Sequence, residues 1–217
     1  MTMSYQVMDR HPPLAPDLVE LLSSVETATI GHVEYLGFVG NHILPLFPAH
    51  VAGVAVTVAA PGRDGIIIYK AIDLLVPGDI LVISRVDGDD IACVGGGVAT
   101  AAKAKGAAGI VIDGPCTDVE EIIDVGLPVW CRGVSSKTTN RRTSIGGALN
   151  VPIACGRAAI LPGYAVLADS TGVFVADVPS MHRIAEAARQ RQVQSIAVRA
   201  HLATGRSIFE FNPETKS

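Results

Sequence analysis

Aromatic side chains make up only 5% of the 217 residues and charged ones only 18%. The scarcity of rings excludes a core built on large stacked side chains. Alanine, valine, isoleucine and 22 glycines take their place, a composition suited to close helix–sheet packing in an α/β protein. Positive charge is also in short supply: 17 Lys and Arg face 21 Asp and Glu, a net charge of -4. No basic cluster exceeds Arg141-Arg142. Binding to nucleic acid rests on phosphate neutralisation, so no nucleic-acid partner is expected. The four cysteines, Cys93, Cys116, Cys131 and Cys155, form no C-x-x-C pair and no zinc spacing, which points to reduced thiols in a cytoplasm. No apolar run approaches the roughly 18 residues of a membrane span. The opening residues from Met1 carry neither a basic region nor an apolar signal core. Linkers and low-complexity tracts are missing too, so one domain over 1–217 is expected, with N-terminal helices and a C-terminal helix.

What is present reads as alternating strands and helices. Pro16 and Asp17 precede Leu18, Val19, Leu21 and Leu22 at helical spacing. The segment 27–30 (TATI) leads to a second short helix expected around His32 to Leu36. Residues 51–58 (VAGVAVTV) alternate β-branched residues as a strand does; 66–75 suits a helix ending before Pro77. Pro77-Gly78-Asp79 is a tight turn launching strand 80–84, and residues 87–90 read as a hairpin-like turn returning through 91–94. An Ala-rich helix over 98–105 is closed by Gly106. Strands are expected at 110–112, 129–131, 151–153, 158–160, 165–169 and 173–175, a short helix from Asp118, a long loop over 133–148, and a helix over 179–202. Pro-Gly followed by a strand occurs twice, at 77–82 and 161–166, either as a repeated unit or as a shared solution to tight turns.

The run GGGVATAAKAKGAAGIVIDG at 95–114, followed by DVEEI at 118–122 and LPVWCRG at 127–133, resembles the RraA-like family. That family holds RNase E activity regulators and metal-dependent 4-hydroxy-4-methyl-2-oxoglutarate aldolases. The pieces TATI (27–30), YKA (69–71), PGDILV (77–82) and LADSTGVFV (167–175) agree in order and spacing. The resemblance implies a layered β/β/α fold like a swivelling phosphohistidine domain, assembled as homotrimers or hexamers with the site between subunits. It also implies a glycine loop whose N–H groups seat a pyruvate carboxylate, and an Arg-Asp pair whose Asp anchors a divalent metal. An Asp in the loop and a late Glu from a neighbouring subunit would assist proton transfer. This chain departs from that pattern. Thr117-Asp118 stands where the family has Arg-Asp, the loop Asp falls on Gly96, and the late Glu falls near Gln194 or Ser195.

The candidate residues follow. Gly95, Gly96, Gly97 and Val98 could seat a small carboxylate on unpaired N–H groups at a helix start, or could be glycines needed only for positive φ and close packing. Asp118 could help hold Mg²⁺ or Mn²⁺, for which oxygen ligands and retained water suffice, or could simply cap its helix. Glu120 and Glu121 are either supporting acids of that site or exposed first-turn residues. Thr117 lies against the substrate but has neither the charge nor the fork of an arginine. Replacement chemistry could come from His32 or Arg132, with Glu34, His42 and Lys137 as further candidates. His32 is placed for acid–base work near neutral pH. Cys116 sits in the turn leading to Thr117, and the other cysteines read as structural. The expectation is a metal-dependent lyase on a small oxo- or hydroxy-carboxylate, by aldol cleavage or decarboxylation through an enolate. The alternative is a non-catalytic oligomeric regulator.

Overall fold

A computed structural model of the chain describes residues 5–88 and 90–212. The opening residues 1–4, scanned above for a leader, and Asp89 of the 87–90 turn lie outside the described residues. The strands are β1 (Tyr5–Val7), β2 (Leu44–Pro45), β3 (Val51–Ala60), β4 (Asp79–Arg85), β5 (Gly109–Asp113), β6 (Val129–Cys131), β7 (Gly147–Leu149), β8 (Ile153–Cys155), β9 (Ala158–Ile160), β10 (Ala165–Ala168) and β11 (Val173–Ala176). The helices are α1 (Pro16–Ser23), α2 (Thr27–Ile30), α3 (Ile66–Leu74), α4 (Gly96–Ala104), α5 (Val119–Val125) and α6 (Val178–Ala203), with a 3₁₀ turn at Ile208–Glu210.

The central sheet runs β1-β7-β3-β4-β5-β6-β2. Its middle, β3-β4-β5-β6, is parallel, so these strands are joined by the crossover helices α3, α4 and α5. Strand β4 is buried along its whole length, as expected of a parallel strand covered on both faces. One face packs on the three helices through Val58, Leu81, Ile83, Ile110, Ile112, Ala99 and Ile122. The other packs on the β8–β9 hairpin and on β10–β11 through Ala55, Val82, Val111, Trp130, Cys155 and Ile160. A third cluster seats α1, α2 and the first turns of α6 around Phe174. The molecule is thus a mixed α/β fold around one central sheet.

Strand β3 explains the doubled Pro-Gly turn. Gly78 (φ +89°) and Gly163 (φ +84°) both turn in the left-handed region, and each turn launches a neighbour of β3: β4 parallel to it, β10 antiparallel.

Two expectations are corrected. Helix α2 stops at Ile30 and does not extend over 32–36, because Glu34 Oε1 accepts the N–H groups of Tyr35 and Leu36 and so withdraws donors that a helix would need. The 91–94 segment does not form a hairpin with β4, since parallel strands already occupy both edges of β4. Instead Ala92 bridges Thr138 and Val94 bridges Cys116.

Candidate functional site

The parallel strands end at Arg85, Asp113 and Cys131, and the crevice beyond the carboxyl ends of such strands is where α/β sheets bind ligands. The glycine turn and Asp118 both open on this edge, on the helical side of the sheet. Gly95 precedes α4 in extended backbone. None of Gly95, Gly96 and Gly97 has positive φ, so backbone strain does not explain the triple glycine. Close approach explains two of them. A methyl group at Gly95 would lie 2.5 Å from Asp118 Oδ2, and one at Gly96 would overlap the Glu121 carboxylate. Gly97 is different: a methyl group there would meet only the Tyr69 hydroxyl, at 4.0 Å.

Asp118 does not cap its own helix. It sits in the left-handed region (φ +53°, ψ +48°) and makes no side-chain hydrogen bond within α5. Its carboxylate reaches back to α4 instead, where Oδ2 accepts the Gly96 N–H at 3.2 Å and Oδ1 accepts the Thr117 hydroxyl at 3.2 Å. Aspartate is among the few side-chain-bearing residues that visit this region readily. The conformation aims the acid across the gap between the two helices. Glu121, one turn on, lies over the same glycines, so two exposed carboxylates converge on the start of α4. Among the described residues, the N–H groups of Gly97 and Val98 donate no hydrogen bond, as the first turn of a helix leaves them.

Other candidates lie elsewhere. His32 is exposed at the end of α2 and lines a cavity of about 360 Å³ with Glu26, Arg191, Gln194 and Ser195. His32 and the two positions matched to the family's late Glu therefore share one cavity, which none of residues 95–98 or 117–121 lines. Arg132 follows Trp130 in facing the opposite side of the sheet from α4. Its Nε lies 3.7 Å from Asp113 Oδ1, and His42 Nε2 approaches the same oxygen at 3.8 Å. Asp113 Oδ2 accepts the Gly156 N–H. Lys137 forms an exposed ion pair with Asp90. Cys116, buried beside the site turn, has its Sγ 3.4 Å from Cys131 Sγ. The contact with Cys131 and burial push the Cys116 thiol up, which suppresses the reactive thiolate.

Two residues near the glycine turn escaped the sequence reading. Tyr69, on the first turn of α3, presents its hydroxyl towards Gly97, and Arg141 stacks its guanidinium over the Tyr69 ring at 5.7 Å. Both had left a trace, Tyr69 in the YKA piece and Arg141 in the lone basic pair. Nothing in their separation of 72 residues marks them as neighbours.

The family model described as RraA-like, Aldolase/RraA, matches residues 23–175. A Halalkalibacterium halodurans protein named "Putative 4-hydroxy-4-methyl-2-oxoglutarate aldolase" is 33% identical over 147 residues, 68% of this chain and 69% of that one. The Thermus thermophilus 4-hydroxy-4-methyl-2-oxoglutarate aldolase is 27% identical over 117 residues, 54% of this chain and 70% of that one. Among solved structures, Streptomyces coelicolor RraAS2, described as an unusual member of the RNase ES inhibitor RraA protein family, is similar with a TM-score of 0.76. It is 27% identical, and the match covers 88% of this chain and 98% of that one.

Proposed function

The chain belongs to the RraA-like, Aldolase/RraA family, and on that premise we propose that it is a divalent-metal-dependent carbon–carbon lyase acting on a small oxo- or hydroxy-carboxylate. One observation carries this reading: the Asp118 and Glu121 carboxylates converge on a glycine turn whose next two N–H groups are open. The residues fit Mg²⁺ or Mn²⁺. A hard cation of this kind takes one or two carboxylates and keeps several waters. No group of three or more His, Cys, Asp or Glu side chains able to hold a metal occurs among the described residues, so Asp118 and Glu121 would hold it with water in the other positions. When bound, the cation supplies Lewis-acid polarisation of a 2-oxo group.

The chain's own residues do the rest. The N–H groups of Gly97 and Val98, at the positive end of the α4 dipole, receive the substrate carboxylate. Thr117 orients Asp118 through its hydroxyl. Aldol cleavage and decarboxylation both leave negative charge on the carbon beside the keto group, and both are served by the same seat. Thr117 adds no charge of its own to that developing anion, and losing one preorganised donor to a developing oxyanion costs about 3 kcal/mol where it has been measured in a serine protease.

We further infer the layered β/β/α architecture of a swivelling phosphohistidine domain and assembly into homotrimers or hexamers. The outer half of α6 supports assembly, since it exposes Val193 and Ile196. A regulator without chemistry is the second reading, favoured by Thr117 standing at the family's arginine position. The purified protein, assayed with Mn²⁺ for pyruvate release from 4-hydroxy-2-oxo acids and for oxaloacetate decarboxylation, is expected to turn over one class. Turnover should vanish in Asp118→Ala. No turnover across the panel, together with no Mn²⁺-dependent rise in melting temperature, would leave the regulator standing.

A further inference from the structure

Thr117 deprives the site of a cation, yet Arg141 rests on the ring of Tyr69, whose hydroxyl faces the glycine turn. The 139–146 loop is laid across the start of α3: Asn140 accepts the Gly65 N–H through its carbonyl, donates its own N–H to Arg63 O, and receives the N–H groups of Arg142 and Thr143 on Oδ1. Further along, Ile145 and Gly146 donate to buried Asp64. This anchoring brings Arg141 over the face of Tyr69. Arg141 is exposed and makes no ion pair among the described residues. The Tyr69 hydroxyl, on an exposed ring, likewise has no hydrogen-bond partner among the described residues. It lies 4.0 Å from where a methyl group on Gly97 would sit, beside the first turn of α4, whose Gly97 and Val98 N–H groups donate no hydrogen bond among the described residues.

We propose that Tyr69 and Arg141 form an anion clamp facing the glycine turn, taking the carboxylate of a 2-oxo acid between the Tyr69 O–H, the Arg141 guanidinium and the N–H groups of Gly97 and Val98. This rests on the substrate class inferred above, and it moves the site's positive charge from the α5 side to the α3 side. Stacking on a ring holds a guanidinium in one plane, so less freedom is lost when it forks onto a carboxylate. Gly97 is then kept small for the ligand, whereas Gly95 and Gly96 are kept small for protein carboxylates. A ligand without a carboxylate would gain nothing from the clamp.

Oxalate, a planar dicarboxylate resembling the enolate of pyruvate, is the probe. Its affinity is measured by calorimetry with and without Mn²⁺, and Mn²⁺ binding is followed separately by electron paramagnetic resonance. Tyr69→Phe keeps the ring and the stack but removes the hydroxyl; it is expected to weaken oxalate about 10-fold. Arg141→Gln is expected to weaken it by 10-fold or more, and Arg141→Lys to recover only part of that loss, because an ammonium cannot fork. Mn²⁺ affinity should stay at the native value in all three. Native oxalate affinity in both Tyr69→Phe and Arg141→Gln overturns the clamp. Failure of the native protein to bind Mn²⁺ overturns the metal-dependent reading instead, and the metal-free oxalate titrations then decide the clamp by themselves.

Discussion

Two aspartates stand at the starts of two crossover helices, α3 and α5, and do opposite things. Asp64, before α3, is fully buried and saturated. Its oxygens take the Tyr5 hydroxyl at 2.5 Å and the N–H groups of Ile66, Ile145 and Gly146 at 2.8, 2.7 and 3.1 Å. Asp118, at the start of α5, is exposed and holds two contacts at 3.2 Å. The first acid ties β1, α3 and the 139–146 loop into one corner and has no capacity left for a ligand. The second has lone pairs and open space to spare. Helix-terminal acids thus divide into saturated and open ones by how many donors reach them, a property of the fold and not of the residue.

The contrast can be broken at several points. The largest effect is expected from Asp64→Ala, which leaves several donors unpaired in a buried corner. Chemical denaturation should report a loss of about 3 kcal/mol or more, and an unchanged midpoint would show that the corner is not held by this acid. Next is Asp118→Ala. Lyase turnover should fall about 100-fold or more while stability drops by no more than about 1–2 kcal/mol, the cost of placing alanine in the left-handed region that Asp118 occupies; a loss as large as that of Asp64→Ala would make this acid structural as well.

Acid pH should separate the two residues further. Burial opposes ionisation of Asp64, but the hydrogen bonds from Tyr5, Ile66, Gly146 and Ile145 outweigh it and hold the carboxyl below its ordinary range. A depressed native pKa means that the unfolded state binds the proton more readily. The stabilisation is therefore complete above the ordinary carboxylate pKa of about 4 and is lost as pH falls through the native value. Asp64→Asn should flatten the stability profile in that window. An equally steep profile in the variant would assign the acid sensitivity to other groups. The smallest structural effect is expected at Gly97. Gly97→Ala adds a methyl with no close neighbour, on a helix where alanine is favoured by up to about 1 kcal/mol, so the melting temperature should hold or rise. Gly96→Ala must displace Glu121 and should lower Mn²⁺ affinity.

Much of this was legible in advance. The β-branched runs and the helical segments between them marked the elements of the core, and the Pro-Gly turns marked where β4 and β10 begin. The order of motifs from 27 to 175 carried the family. The short strands β1, β2 and β7 were missed because two or three residues cannot establish a period; they exist only because a neighbouring strand offers its edge. The helix expected over 32–36 failed because Glu34 competes locally for its backbone. Gly95, Gly96, Thr117 and Asp118 proved to be mutual neighbours. His32 and Arg132 lie in other clusters, since the distance between loops depends on which face of the sheet each strand's last residue points to.

By itself, the sequence determined the alternation of strands and helices, the turns and the glycine-to-acid spacing, because these depend on local periodicity and on backbone freedom at single residues. Only the tertiary structure decided that Asp118 abandons its own helix for the preceding one, that Gly96 is small to admit Glu121, and that Arg141 comes to rest on Tyr69. Those relations join residues from separate crossovers, and packing against a shared sheet is what brings them within a few ångströms.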